Sequence, residues 1–124
     1  MGFLLRLHDR RRAWAGLAVL AALVIAIGSL TPGTEMPDSL PWDKANHFIG
    51  YAGLAGLVGL AGIHARPAFI GVVAYGVAIE FAQLPVPGRM GGDPWDILAN
   101  TLGALLGLVV LALLRRCLLG GGAR

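Results

Sequence analysis

The sequence predicts an all-α membrane protein, a four-helix transmembrane bundle with both termini in the cytoplasm. Hydrophobic residues make up 56% of its 124 residues and charged residues only 14%, and the apolar residues fall in four long runs. A soluble domain carries about 25% charged residues, and a small domain cannot cover its surface with so few. The composition therefore excludes an ordinary soluble enzyme, a disordered tail and a nucleic-acid-binding module.

The four apolar runs cover residues 13–30, 46–63, 67–84 and 97–114. Each run is about 18 residues long, or about 27 Å as an α-helix, which crosses the hydrocarbon core with slight thinning of the bilayer. Only helices satisfy all backbone hydrogen bonds within single segments of this kind. We therefore expect four membrane spans in a single domain that comprises residues 1–124.

The basic residues predict the orientation of these spans. Of the 10 lysines and arginines, all but Lys44 and Arg89 lie before the first run, between the second and third, or after the last. Cytoplasmic loops carry the excess of positive charge. We therefore expect cytoplasmic termini, with the two longer connections, about residues 31–45 and 85–95, on the outer side.

Glycines indicate how the helices pack. In the second run they recur at every third position from Gly50 to Gly62, so they wind around the helix and predict contacts on several sides. In the fourth run, Gly103 and Gly107 form a pair of small residues four apart, which lets two helix backbones approach closely. A compact bundle is expected in either case.

Polar residues gather at the outer ends of the runs. Helical geometry places those of the second run on one arc, and it places Asp96 and Asn100 on the stripe that carries Gly103 and Gly107. Ionisable groups inside a span are expensive unless they find partners, and they indicate a functional site. The predicted outward-facing site consists of Asp43, Lys44, His47, Tyr51, Glu80, Gln83, Arg89, Asp96 and Asn100. Asp93, directly before Pro94, is predicted to cap the fourth helix.

The order and spacing of these residues resemble the VanZ-like family of small bacterial integral membrane proteins. The matching segments, from the first run to the fourth, are Ser29-Leu30-Thr31-Pro32, Asp43-Lys44-x-x-His47 with Tyr51, Glu80-x-x-Gln83, Pro87-Gly88-Arg89, Asp96-x-x-x-Asn100 and Gly103-x-x-x-Gly107. The resemblance implies a multi-pass protein of the bacterial cytoplasmic membrane with a role in the cell envelope. It associates that role with tolerance of glycopeptide antibiotics of the teicoplanin type, but it assigns no reaction.

Several functions fit the predicted site. In a binding protein, Lys44 and Arg89 would hold the phosphate or carboxylate of a lipid headgroup or wall precursor, and Tyr51, Gln83 and Asn100 would orient it. In a hydrolase or transferase acting on a lipid-linked substrate, His47 or Glu80 would be the general base and Arg89 the electrostatic stabiliser. The sequence leaves open whether there is any catalysis, because no serine or cysteine nucleophile stands beside His47.

Two further alternatives involve no ligand of this kind. The acidic and basic groups can neutralise each other, so the network could serve only to lock the helices together. A proton or ion relay through His47, Glu80 and Asp96 is disfavoured, because the inner halves of the spans are apolar. No established metal-ligand spacing is present, so we expect neither a metal nor another cofactor, and no nucleic acid partner. The oligomeric state stays open.

Overall fold

The computed structural model describes residues 1–35 and 43–120, which are helical and contain no strand. The predicted all-α class is confirmed for these residues. The helices are α1 (Gly2–His8), α2 (Arg11–Leu30), α3 (Asp43–Leu60), α4 (Ala65–Ala82) and α5 (Pro94–Leu119), and a short 3-10 turn covers Gly33–Glu35. Part of the predicted outer connection between α2 and α3, and the side chain of Asp43, lie outside the described residues.

Helix α3 begins and ends earlier than the second apolar run predicts. Its first turns contain Lys44 and His47, so polar residues expected beside the span belong to the helix itself. The helix ends at Leu60, and Gly62 follows with a φ of +100°. That backbone conformation favours glycine because it has no Cβ, so the chain turns here towards α4.

Helices α4 and α5 also differ from the predicted bounds. Helix α4 starts before Pro67, which lies in its first turn, where a missing N–H costs nothing. Helix α5 is 26 residues long and extends beyond the fourth run at both ends. It begins directly after Asp93, whose side chain accepts a hydrogen bond from the Trp95 amide at 2.9 Å. The predicted helix cap is therefore confirmed.

Three helices, α2, α4 and α5, are long and apolar enough to cross a membrane. Helix α3 is as long as α4, at 18 residues, but it is not among the candidate spans of the described chain. Its first turns carry Lys44, Asn46 and His47, which lower its mean hydropathy. The same polar residues thus form the polar end of the bundle and keep the mean hydropathy of α3 below that of the candidate spans.

Helix α3 packs most extensively against α5, and the predicted small residues mediate this contact. A Cβ added to Gly103 would lie 2.2 Å from the carbonyl oxygen of Phe48, and one added to Gly107 would lie 2.1 Å from that of Ala52. No side chain fits at such distances, so the two backbones touch. Dispersion between closely packed backbones is what holds helices together in an apolar solvent.

The glycines of α3 contact fewer neighbours than their winding pattern predicts. Gly50 faces Ile25 of α2 and Gly59 faces Leu111 of α5, whereas positions 53 and 56 have open space around them. Helix α2 is itself loosely packed, with Ala18 as its one buried residue. The hydroxyl of Tyr75 in α4 donates a hydrogen bond to the carbonyl of Ala22 in the middle of α2.

The opposite end of the bundle is basic. The side chain of Arg115, near the end of α5, donates to the carbonyl oxygen of Gly59 at 2.8 Å and to Nε2 of His8 at 3.0 Å. Helix α1, which the apolar pattern did not predict, is also held by Trp14, whose indole N–H donates to the carbonyl of Leu7 at 2.8 Å. This short helix is therefore joined by hydrogen bonds to both α2 and α5.

Candidate functional site

The polar residues predicted from the sequence meet at one end of the bundle, where α2 and α4 end and α3 and α5 begin. The connections at this end touch as well. The amide of Gly33, after α2, donates to the carbonyl of Pro87, after α4, at 2.9 Å. Gly88 then approaches Gly33 so closely that a Cβ on either residue would clash with the other's backbone. These contacts bring residues distant in sequence to one place.

An ion cluster joins the first turns of α3 and α5. The Lys44 ammonium donates a hydrogen bond to Oδ2 of Asp93 at 2.9 Å and another to Oδ1 of Asp96. The hydrogen bond from Lys44 and that from the Trp95 amide keep the pKa of Asp93 below its ordinary value, because both stabilise the ionised carboxylate. Asp93 was expected only as a helix cap, and its ion pair with Lys44 is a second role.

His47 lies between this cluster and the interior of the bundle. Its Nδ1 is 2.8 Å from Oδ1 of Asn100, and its Nε2 is 3.9 Å from Oδ2 of Asp96. A carbonyl oxygen only accepts hydrogen bonds, so Nδ1 is the donor in this contact. The imidazole also stacks on Tyr51, with ring planes within 3° and centroids 6.3 Å apart. The histidine is thus oriented by two residues of the predicted site.

Glu80 is the most deeply placed acid of the site, with no exposed surface. Its Oε1 accepts a hydrogen bond from the Asp93 amide at 2.9 Å, while its Oε2 has no partner among the described residues. The hydroxyl of Tyr51 and Nδ2 of Asn100 are likewise buried without a hydrogen-bond partner there. Buried polar atoms of this kind are rare and need an explanation such as a bound molecule.

Gly76 of α4 makes room for this buried group. A Cβ at this position would lie 3.0 Å from both Nδ2 of Asn100 and Cε1 of Tyr51. Glu80 follows one helical turn later on the same face. Side chains of α3, α4 and α5 therefore converge here.

Arg89 and Gln83 bind the end of α2 and not a carboxylate of the described chain. The guanidinium of Arg89 donates to the carbonyl oxygens of Gly28 at 2.6 Å and Thr31 at 2.9 Å. The Gln83 amide donates to the carbonyl of Ser29 at 2.9 Å. The last carbonyls of a helix lack intrahelical partners, and a cation beside them also favours the helix dipole. The two side chains therefore cap α2.

A cavity of about 330 Å³ opens between α2, α3 and the end of α4. Among the described residues, its lining contains the Arg89 cation but no carboxylate, because Asp93 and Asp96 are turned towards Lys44. The lining residues are Val24, Ile25, Gly28, Ser29, Asn46, His47, Gly50, Tyr51, Gln83 and Arg89. The cavity therefore has the electrostatic character of an anion site.

The structure divides the predicted site residues into two groups. His47, Tyr51, Gln83 and Arg89 line the cavity. Lys44, Glu80, Asp96 and Asn100 form the supporting network behind it. Ser29 and Asn46 also line the cavity, although neither was predicted as a site residue. Asn46 directly precedes His47 in the sequence, and that position could have identified it. Within 1–35 and 43–120, no group of three His, Cys, Asp or Glu side chains is placed to hold a metal.

These features define a helical membrane protein in which the buried ionisable side chains of the described residues, His47, Glu80 and Asp96, lie at one end of the helices. The sequence model of the VanZ/LLP1 family matches residues 1–115, which is nearly the whole chain, and the protein belongs to this family. The resemblance deduced from the sequence motifs is therefore confirmed. No curated protein and no solved structure matches the chain.

Proposed function

We propose that this VanZ-like protein binds an anionic headgroup, of a lipid or of a cell-wall precursor, in the cavity beside Arg89. The observation that carries the proposal is the charge of the cavity: a guanidinium lines it, and no carboxylate of the described chain does. Arg89 donates from Nε and Nη2 to backbone carbonyls. A guanidinium has five N–H donors, so donors remain for a phosphate or carboxylate.

Tyr51 supplies a second recognition element. Its ring is 1% exposed and lines the cavity, while its hydroxyl has no hydrogen-bond partner in the described part of the protein. A buried hydroxyl that is left unpaired costs free energy. A ligand that accepts a hydrogen bond from it would recover that cost, so the hydroxyl contributes to binding, whereas the buried ring belongs to the core.

We expect Tyr51→Phe to weaken headgroup binding without lowering stability. A hydrogen bond to a charged group contributes about 1.5–3 kcal/mol, so affinity should fall roughly 10- to 100-fold. Binding would be measured with phosphatidic acid and phosphatidylcholine in nanodiscs, and with glycerol 3-phosphate as the free headgroup. If wild-type protein binds phosphatidic acid no better than phosphatidylcholine, and does not bind glycerol 3-phosphate, the proposed function is wrong.

Tyr75→Phe is the matched control for this substitution. The Tyr75 hydroxyl already has a partner, the carbonyl of Ala22, and Tyr75 does not line the cavity. Its loss should therefore lower the melting temperature and leave the affinity of the folded protein unchanged. The two variants thus remove the same atom with opposite expected results.

A second candidate function, a structural network that only fixes the helices, is favoured by the contacts of Arg89 and Gln83 with the end of α2. These contacts bind the last turn of a loosely packed helix. In this case Tyr51→Phe has no effect on any binding measurement. Arg89→Met would then impair function only as far as it lowers the melting temperature.

The physiological role that we propose is in the cell envelope, through a wall precursor that carries an anionic headgroup. Such binding would alter the supply or display of the precursors that glycopeptides of the teicoplanin type recognise. Expression of the wild-type protein should raise teicoplanin tolerance, whereas expression of Tyr51→Phe to the same level should not. Equal tolerance with both proteins would separate the antibiotic phenotype from this cavity.

For the topology, we propose four spans including α3, with both termini in the cytoplasm and the cavity on the outer side. The distribution of arginines supports this orientation. Helix α3 spans in spite of its polar first turns, because Lys44 and His47 have partners on α5, which lowers the cost of their burial.

Cysteine labelling tests this topology. The chain has one cysteine, Cys117, which is exposed near the end of α5. A membrane-impermeant maleimide added to intact spheroplasts should not label Cys117 until the membrane is opened. Met90, which is 78% exposed in the connection before α5, offers the opposite reporter. A Cys117→Ser/Met90→Cys variant should be labelled from outside, and the reverse pattern would refute the orientation.

A further inference from the structure

The cavity beside Arg89 changes in character along its length. Its polar part, at the end of the helices, is formed by Ser29, Gln83 and Arg89. Its other part, about 7.5 Å further along α2, is formed by Val24 and Ile25 with Gly50 of α3 opposite. An amphiphile has this same division between a polar head and an apolar chain.

The apolar part is open towards the side of the bundle. Val24 lines the cavity and is still 61% exposed, so this wall is continuous with the outer surface of α2. Gly50 lines the cavity opposite Ile25, and a Cβ added there would lie at van der Waals contact distance, 3.8 Å, from the Ile25 side chain. Most of the surface of α2 is not buried. Backbone carbonyls of α2 and its C-cap accept hydrogen bonds from the side chains of Tyr75, Gln83 and Arg89.

We propose that the ligand is a lipid that enters sideways between α2 and α3 and keeps its hydrocarbon chain on Val24, Ile25 and Gly50. This inference rests on the proposed headgroup binding and adds the class of molecule, a membrane-anchored anionic amphiphile, and its route of entry. The hydrocarbon chain of the lipid remains in an apolar environment throughout, so only the headgroup must leave water. Binding of this hydrocarbon chain adds apolar contact area to the charge interaction at Arg89.

A larger apolar cavity on the other side of α3, of about 580 Å³, is a less suitable place for this lipid. Its walls include Phe48, Trp95, Leu98 and Leu102, and among the described residues that line it Lys44 is the charged one. That ammonium is already paired with Asp93 and Asp96, so it offers little attraction to a further anion. This second cavity serves as the comparison site in the experiment.

The test uses lysophosphatidic acid with a photoreactive diazirine in its acyl chain, bound to full-length protein in phosphatidylcholine nanodiscs. We expect crosslinks on α2 and α3 around Ile25 and Gly50, removed by excess phosphatidic acid. Gly50→Leu should reduce their yield at least about tenfold, because its side chain fills the passage. Gly53→Leu is the matched control, since nothing lies within 4 Å of a Cβ there, and it should leave the yield unchanged.

Other outcomes separate this inference from the proposed function. Two results together would overturn sideways lipid entry and leave headgroup binding standing. The first is a set of crosslinks that is spread over all helices or concentrated at Leu98 and Leu102. The second is binding of glycerol 3-phosphate that is as tight as binding of lysophosphatidic acid. Absence of any competition by phosphatidic acid or glycerol 3-phosphate overturns both. The crosslinking positions and the comparison of the two headgroup compounds use wild-type protein, so the test holds even if Gly50→Leu fails to fold.

Discussion

Gly107→Ala is expected to be among the most destabilising single-methyl additions in this protein. The new Cβ would lie 2.1 Å from the carbonyl oxygen of Ala52, and neither of the two backbones can move aside as a flexible side chain would. Overpacking costs about 1–3 kcal/mol and occasionally more. We expect a loss of about 3 kcal/mol in the free energy of unfolding, measured by denaturant titration of the purified protein in detergent.

Gly56→Ala and Gly71→Ala are the controls for this effect. Both positions are helical, and nothing lies within 4 Å of a Cβ built on either. Alanine has the higher helix propensity, by about 1 kcal/mol, so these variants should be neutral or slightly stabilised. If Gly107→Ala unfolds like the controls, the backbone contact between α3 and α5 is not as close as described.

Lys44→Met should also destabilise the protein, for an electrostatic reason. It leaves the carboxylates of Asp93 and Asp96 without their shared cation. An exposed ion pair contributes at most about 1 kcal/mol and breaking a buried one costs about 3–5 kcal/mol, and because Lys44 and Asp93 are partly exposed, we expect a loss between these limits. The measurement is again the free energy of unfolding, with Arg66→Met, an exposed cation in the first turn of α4, as the control.

A second substitution distinguishes charge from packing as the cause of this loss. Asp96→Asn in the Lys44→Met background removes one of the uncompensated charges. The double variant should therefore recover most of the stability that Lys44→Met loses, so the two substitutions would not be additive. Additive losses would show that the methylene groups of Lys44 matter more than its ammonium.

The sequence was sufficient to identify the family, the helical class and most polar side chains that gather at one end. Helical periodicity does this because Lys44, His47 and Tyr51 recur on one arc, and Gly103 and Gly107 on the stripe of Asp96 and Asn100. The periodicity of one helix contains no information on which neighbour it meets. The pairing of Lys44 with both aspartates could therefore not be deduced before the helices were placed.

Contacts with the backbone were also beyond sequence reasoning. Arg89 was expected to balance a carboxylate or hold a ligand, yet it donates to the carbonyls of Gly28 and Thr31. Every residue carries such a carbonyl, so no side-chain pattern marks the ones that lack an intrahelical partner. Helix α1 was missed for a different reason: at 7 residues it is too short to display an apolar period, and it depends on contacts with other helices.

The hydrogen bond from Arg115 to the end of α3 affects which basic residues are available to determine the orientation of the protein in the membrane. The Arg115 guanidinium donates hydrogen bonds to the carbonyl oxygen of Gly59 and to Nε2 of His8. An arginine that is bound within the protein is less available to lipid phosphates. In the proposed topology, the exposed arginines at positions 10–12, at the start of α2, therefore carry much of the positive charge that keeps this end of the bundle on the cytoplasmic side.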